Sequence, residues 1–230
     1  HTWIFQNGGQ KHGRHLYPRC AIFWKPDWSN LPEDDFIQHE DLPYCIGEFV
    51  WTGFDYLGEP TPYYTDWPSH SSLFGIIDLA GLPKDRYYLY RSHWNKDEET
   101  LHILPHWTWN GREGEVTPVF VYTNYPSAEL FINGKSQGVR TKDMSVTVHN
   151  SGDSLSVANL KRQQRYRLMW MDTVYEPGTV KVVAYDAEGN AVAQKEIHTA
   201  GKPHHIELEA DRTAIKADGK DLSFITVKVV

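Results

Sequence analysis

Between residues 101 and 199, short runs of β-branched and aromatic residues alternate with turn signals, and this pattern constrains the fold more than any other feature of the chain. The runs are Val116 to Thr123, Ala128 to Ile132, Tyr166 to Met171 and Gly178 to Tyr185. Asn133-Gly134 stands between two of them. Asn-Gly suits a two-residue hairpin because both positions tolerate the positive φ that a type I′ turn needs. Asp186 to Asn190 marks a further turn. The spacing predicts an antiparallel sandwich over 101–200, of immunoglobulin-like type without its disulfide. Beyond Ala200-Gly201-Lys202-Pro203, alternation in Ile206 to Ala210 and in Leu222 to Val230 predicts the start of a further β-sandwich over 201–230.

Residues 1–100 have a different texture. Prolines at 18, 26, 32, 43, 60, 62, 68 and 83 interrupt any long helix, so loops are expected to dominate. Tyr44 to Trp51 is a β-rich run that predicts a buried strand leading into a long loop, Thr52 to Pro60. Pro83 to Trp94 predicts a helix, with Pro in the first turn and Tyr87, Tyr90, Arg91 and Trp94 at helical spacing.

Bulk properties exclude several functions. The 30 acidic residues outnumber the 23 basic ones, which leaves no electrostatic footprint for nucleic acid. No apolar run approaches the ~20 residues of a membrane-spanning helix. Cys20 and Cys45 alone cannot make a disulfide framework, and their spacing does not decide whether they pair. His12 with His15, and His204 with His205, lack the further ligands of a zinc site and read as solvated side chains. The 9 Trp and 13 Tyr supply many flat ring surfaces, which suit sugars without proving that sugars bind.

The stretch Gly47-Glu48-Phe49-Val50-Trp51-Thr52-Gly53-Phe54-Asp55-Tyr56-Leu57-Gly58-Glu59-Pro60 resembles the last barrel strand and following loop of glycoside hydrolase family 2, in its β-galactosidase-like members. The resemblance continues through Ser71 to Gly81, Pro83 to Tyr88, Leu104 to Trp109 and Glu129 to Ser136. It implies a multi-domain arrangement: residues 1–100 as the C-terminal part of a (β/α)₈ TIM barrel, then the immunoglobulin-like sandwich, then the start of another. It also implies a retaining glycosidase in which two Glu residues act as acid/base and nucleophile on earlier strands. No Glu-Thr or Glu-Ser motif occurs before Cys45, and Glu33 and Glu40 lie in polar segments that read as surface approaches to the strand. The expectation is therefore that the chain carries no catalytic pair and is inactive alone.

What the resemblance leaves in this chain is one wall of a sugar pocket. Trp51 is expected to stack under the sugar, and Asp55 either to accept sugar hydroxyls or to hold its loop through an Asp-turn. Glu48 is expected to support the pocket, and His70 to donate to a hydroxyl. Pairings of Glu48 or Asp55 with Glu59 as catalytic carboxylates are disfavoured by the family pattern. The stretch Asp66 to Ser72 lacks the Asn-x-Lys with which glucuronidases meet an acid, so a neutral β-galactoside is the expected partner, with a β-glucuronidase-type parent as the alternative. A second alternative is a non-catalytic carbohydrate-binding or spacer module that displays Trp107 and Trp109 on one face. No cofactor or metal is implied. A periplasmic or secreted location, and any homo-oligomer formed through domains outside this chain, follow only from the resemblance.

Overall fold

A computed structural model describes residues 30–60, 67–152 and 160–230. Cys20, His12 and His15 lie outside them. The chain divides into two compact units at Thr199/Ala200.

The first unit begins with α1 (Pro32–Asp41) and α2 (Asp85–Trp94). The strands β1 (Leu101–Leu104), β2 (Val119–Thr123), β3 (Ser127–Ile132) and β4 (Lys135–Thr141) follow. A short helix α3 (Leu160–Tyr166) precedes β5 (Leu168–Trp170), β6 (Thr179–Tyr185) and β7 (Ala191–His198). All strand pairs are antiparallel and form two sheets, β1-β2-β5 and β4-β3-β6-β7. The β3–β4 hairpin turns at Asn133-Gly134 with φ of 50° and 78°, as a type I′ turn requires.

The three-stranded sheet is buried on both faces. Along β2, Val119 and Val121 point between the sheets, where they meet Leu101, Ile103, Leu168 and Trp170 and the inward residues Leu130, Ile132, Val180 and Val182. Phe120 and Tyr122 point the other way, into a cluster with Phe36, Ile37, Leu89, Tyr90, Tyr166 and Met169. The period of two thus assigns alternate side chains to two different cores, one sheet-on-sheet and one helix-on-sheet. Each fully buried large apolar side chain contributes ~1.5–3 kcal/mol, so β2 links two stabilising layers.

Helix α1 departs from the expected polar surface segment. Pro32 occupies its start, and Glu33, Asp34 and Asp35 fill its first turn, where carboxylates suit the positive end of the helix dipole. Its buried face combines Phe36 and Ile37 with two charged residues, Glu33 and Asp34. Glu33 pairs with Arg167, and Asp34 with Arg162 at 3.0 Å, all four side chains being buried. Arg165 reaches Glu40 at 2.7 Å and Asp41 at 2.9 Å. Three arginines in or beside α3 therefore each hold carboxylates of α1. Removing either partner of such a buried pair would leave an uncompensated charge.

Helix α2 forms where the Pro83 to Trp94 pattern predicts one, but its buried residues are Leu89, Tyr90 and Ser92, and Trp94 is half exposed. The predicted strand at 44–51 does not form: no strand is assigned there, and Ile46 and Phe49 are 101% and 104% exposed. A strand requires a hydrogen-bonding neighbour along its edge, and among the described residues none runs beside this segment.

The second unit is a single hairpin, β8 (Ile206–Ala210) with β9 (Ile225–Val229), paired from Ile206↔Val229 to Ala210↔Ile225. All ten of its strand residues are exposed.

Candidate functional site

The loop after Val50 is organised by two short backbone pairings. Ile76 and Ile77 donate to the carbonyls of Thr52 and Gly53 at 3.0 Å, and Asp55 donates to Ile77 at 2.9 Å. Further along, Gly58 donates to the His70 carbonyl at 2.9 Å and Ser72 to the Tyr56 carbonyl at 2.8 Å, around an antiparallel bridge of Leu57 and Ser71.

Asp55 sits at the junction of the two pairings and is buried. Its Oδ1 accepts from the Gly75 amide and from Lys84 Nζ, both at 2.8 Å, and its Oδ2 lies 2.7 Å from the same Nζ. Lys84, immediately before α2, also donates to the Leu73 carbonyl at 3.2 Å. Gly75 is required here, because a Cβ would lie 2.2 Å from the Asp55 nitrogen. The Asp55 carboxylate holds its loop, not through a local Asp-turn but by tying it to Gly75 and to Lys84 at the start of α2. Helix α2 is fixed in turn on β1, where Asp85 meets His102 at 2.6 Å and Tyr88 stacks on the same imidazole at 3.9 Å. The loop's position is thereby transmitted to the sandwich.

Trp51 stands on the outer side of this frame, 74% exposed, with its ring edge-on to Tyr56 at 6.0 Å. The Tyr56 hydroxyl engages the Trp51 side chain and donates to Glu59. That bond to Glu59 pushes the phenol above its ordinary value, because the neutral hydroxyl is the donor. Glu48 is half buried on the side of α1, where burial and the neighbouring Asp35 carboxyl raise its pKa while His39 and Arg86 oppose them. His70 is exposed and meets Trp67 edge-on at 5.0 Å.

The structure therefore brings Trp51 together with Tyr56 and Glu59, and Glu48 together with Asp35. Asp55 is bonded to Lys84 and Glu59 to Tyr56. Tyr56, Gly75, Lys84 and Trp67 were not identified from sequence as parts of the site. Only Trp67 carried a usable signal there, as an aromatic in a polar, proline-containing loop.

Trp107 and Trp109 are not displayed. Both are buried in the core between the sheets, with Trp107 Nε1 donating to the Glu176 carbonyl at 2.9 Å. Their face is an interior one, which removes the basis for a binding module built on these two rings. His204 and His205 lie 2.9 Å apart through their Nδ1 atoms, and His205 meets Glu207 at 3.1 Å. Among the described residues no group of three His, Cys, Asp or Glu side chains gathers as a metal site would require.

The family model described as a domain of unknown function, DUF4982, matches residues 114–193, most of the sandwich. A β-galactosidase of Bacteroides ovatus is 48% identical over 93% of this chain, and a β-glucuronidase of Bacteroides fragilis is 31% identical over 57% of it. Among solved structures, a glycosyl hydrolase family 2 member from Bacteroides cellulosilyticus superposes on 86% of the chain with a TM-score of 0.65 at 31% identity. The chain spans only 22%, 19% and 25% of the lengths of these three proteins. The homologues and structural neighbours of this β-rich chain are thus glycoside hydrolase family 2 members, and the chain belongs with them as a counterpart of part of their length.

Proposed function

We propose that the chain forms one wall of the sugar pocket of a retaining β-galactoside hydrolase, with residues 30–100 as the end of its (β/α)₈ barrel. Residues 101–199 are its immunoglobulin-like sandwich. The strand order β1-β2-β5 facing β4-β3-β6-β7 supports the second assignment, since it follows the A-B-E and C′-C-F-G order of that class. The single observation that carries the functional reading is Trp51, an exposed indole on a loop tied down by a buried Asp55–Lys84 pair. A pyranose presents a face of C–H groups that such a ring covers, and a fixed ring positions it without further ordering.

Support for a neutral sugar comes from the 48% identical β-galactosidase and from the absence of Lys and Arg between residues 66 and 72. A uronic acid would call for a cation to meet its carboxylate. Glu48 supports the pocket from behind through Asp35. The chain alone does not hydrolyse glycosides, because the carboxylates near Trp51 are engaged with Lys84, Tyr56 or one another. The acid/base and nucleophile belong to other parts of the polypeptide.

The test compares nitrophenyl β-galactoside and β-glucuronide as substrates for the polypeptide that carries this chain. Galactoside turnover is expected, with Trp51→Ala lowering kcat/KM about a hundredfold. Turnover of nitrophenyl β-galactoside by residues 1–230 alone, preference for the glucuronide, or an unaffected Trp51→Ala enzyme would each refute the corresponding part.

A further inference from the structure

Trp67 is 85% exposed, more than Trp51, and the pocket reading gives it no role. Its place follows from the ribbon formed by residues 56–58 and 70–72. Around the Leu57–Ser71 bridge, Tyr56 lies opposite Ser72 and Gly58 opposite His70. Directly opposed residues and their neighbours two positions away share a face, so Tyr56 and His70 stand on the same side of the ribbon and Leu57 on the other. Tyr56 and His70 are diagonal neighbours, a relation that separates side chains by ~7–8 Å. Trp51 abuts Tyr56 and Trp67 abuts His70. One face therefore carries a row of two ring pairs, Trp51 with Tyr56 and His70 with Trp67.

The middle of the row is open. Gly58, at φ +98°, contributes no side chain, and a Cβ there would meet nothing within 4 Å. Two exposed indoles thus flank a low stretch bordered by the Tyr56 hydroxyl, whose proton goes to Glu59, and by the His70 imidazole, which can bond a ligand hydroxyl. No Lys or Arg lies in residues 56–60 or 67–72. Rings for C–H faces, an imidazole and a phenol bound to the Glu59 carboxylate as polar partners, and no fixed cation match an uncharged saccharide longer than one unit.

We infer that Trp67 and His70 form a second sugar subsite, which holds the saccharide attached to the galactosyl unit seated on Trp51. This rests on Trp51 being the floor of the cleaved subsite. The ring of Trp67 covers the distal sugar, and His70, braced edge-on by that ring, bonds one of its hydroxyls. The site selects β-galactosyl oligosaccharides over methyl β-galactoside through binding and leaves the chemical step unchanged, so its loss appears in KM.

Kinetics of the polypeptide that carries this chain, on methyl β-galactoside and on a neutral β-galactosyl oligosaccharide, separate the two subsites. Trp67→Ala is expected to raise KM for the oligosaccharide about tenfold, the scale of one aromatic contact, and to leave methyl β-galactoside, whose aglycone is too small to reach this ring, within about twofold. Trp67→Phe recovers most of the loss. Equal losses on both substrates, or none on either, overturn the second subsite. Trp51→Ala is expected to damage both substrates. If it damages neither, or if neither substrate is turned over, the pocket reading itself falls, a result distinct from a failure at Trp67 alone.

Discussion

Strand β2 and the segment 44–51 are both rich in β-branched and aromatic residues and have opposite fates. Val119-Phe120-Val121-Tyr122-Thr123 is buried at every position, between β1 and β5 along its edges and between two cores across its faces. Tyr44-Cys45-Ile46-Gly47-Glu48-Phe49-Val50-Trp51 exposes Ile46, Phe49 and Trp51 and pairs with no described strand. β-propensity records how well side chains fit a pleated, packed surface; it does not create that surface. The comparison shows that an apolar run only offers a strand, and that its neighbours along the sheet accept or refuse the offer.

Three measurements break or sharpen this contrast. The largest effect is expected from Phe120→Ala, which empties a site filled from α1, α2 and β5. A loss of ~3–5 kcal/mol in urea unfolding is expected, and a loss under half of that would mean the helix-side core collapses to fill the space.

Next in size is the pH response of the same helix-side core. His93 stacks on Phe36 at 4.2 Å, meets Tyr166 edge-on, and lies 3.4 Å from Glu40, with Lys96, Lys142 and Arg165 also facing it. Burial, aided by these cations and opposed by Glu40, holds its pKa down at about 4, against an ordinary 6.5. A folded-state value below the unfolded one gives stability that is present above 6.5 and lost as pH falls towards about 4. Wild-type melting temperature should therefore drop between pH 7 and pH 4.5 by more than that of His93→Gln, with a difference of a few degrees. Parallel curves for the two proteins would show that His93 is not the group responsible.

The smallest effect is expected at the other end of the comparison. Phe49→Ala changes a side chain that is fully exposed among the described residues, and unfolding should shift by no more than ~0.5 kcal/mol. A loss above ~1 kcal/mol would place this segment in a core after all.

Legibility from sequence follows the range of the interactions. The β3–β4 hairpin was readable because Asn133-Gly134 carries its own conformational preference. Helix α2 was readable from Pro83 and the periodicity after it, though its buried residues Leu89 and Ser92 were not among the predicted face. Helix α1 was missed because its buried face mixes Phe36 and Ile37 with Glu33 and Asp34, and these two carboxylates read as surface residues until Arg167 and Arg162, more than a hundred positions away, are set against them. Around the candidate site, the motif suggested Trp51, whereas Lys84 carried no signal, since nothing local distinguishes a lysine that will be buried against Asp55 from one in solvent.

What the sequence by itself determined is therefore local and periodic: turns where Asn and Gly accept positive φ, strands where alternation repeats, and a family motif ending in an aromatic ring. Tertiary structure alone decided which apolar runs found a sheet, which carboxylates met arginines, and which tryptophans were interior. Those outcomes depend on groups distant in the chain coming within a few ångströms, and both burial and ion pairing take their sign and size from that approach.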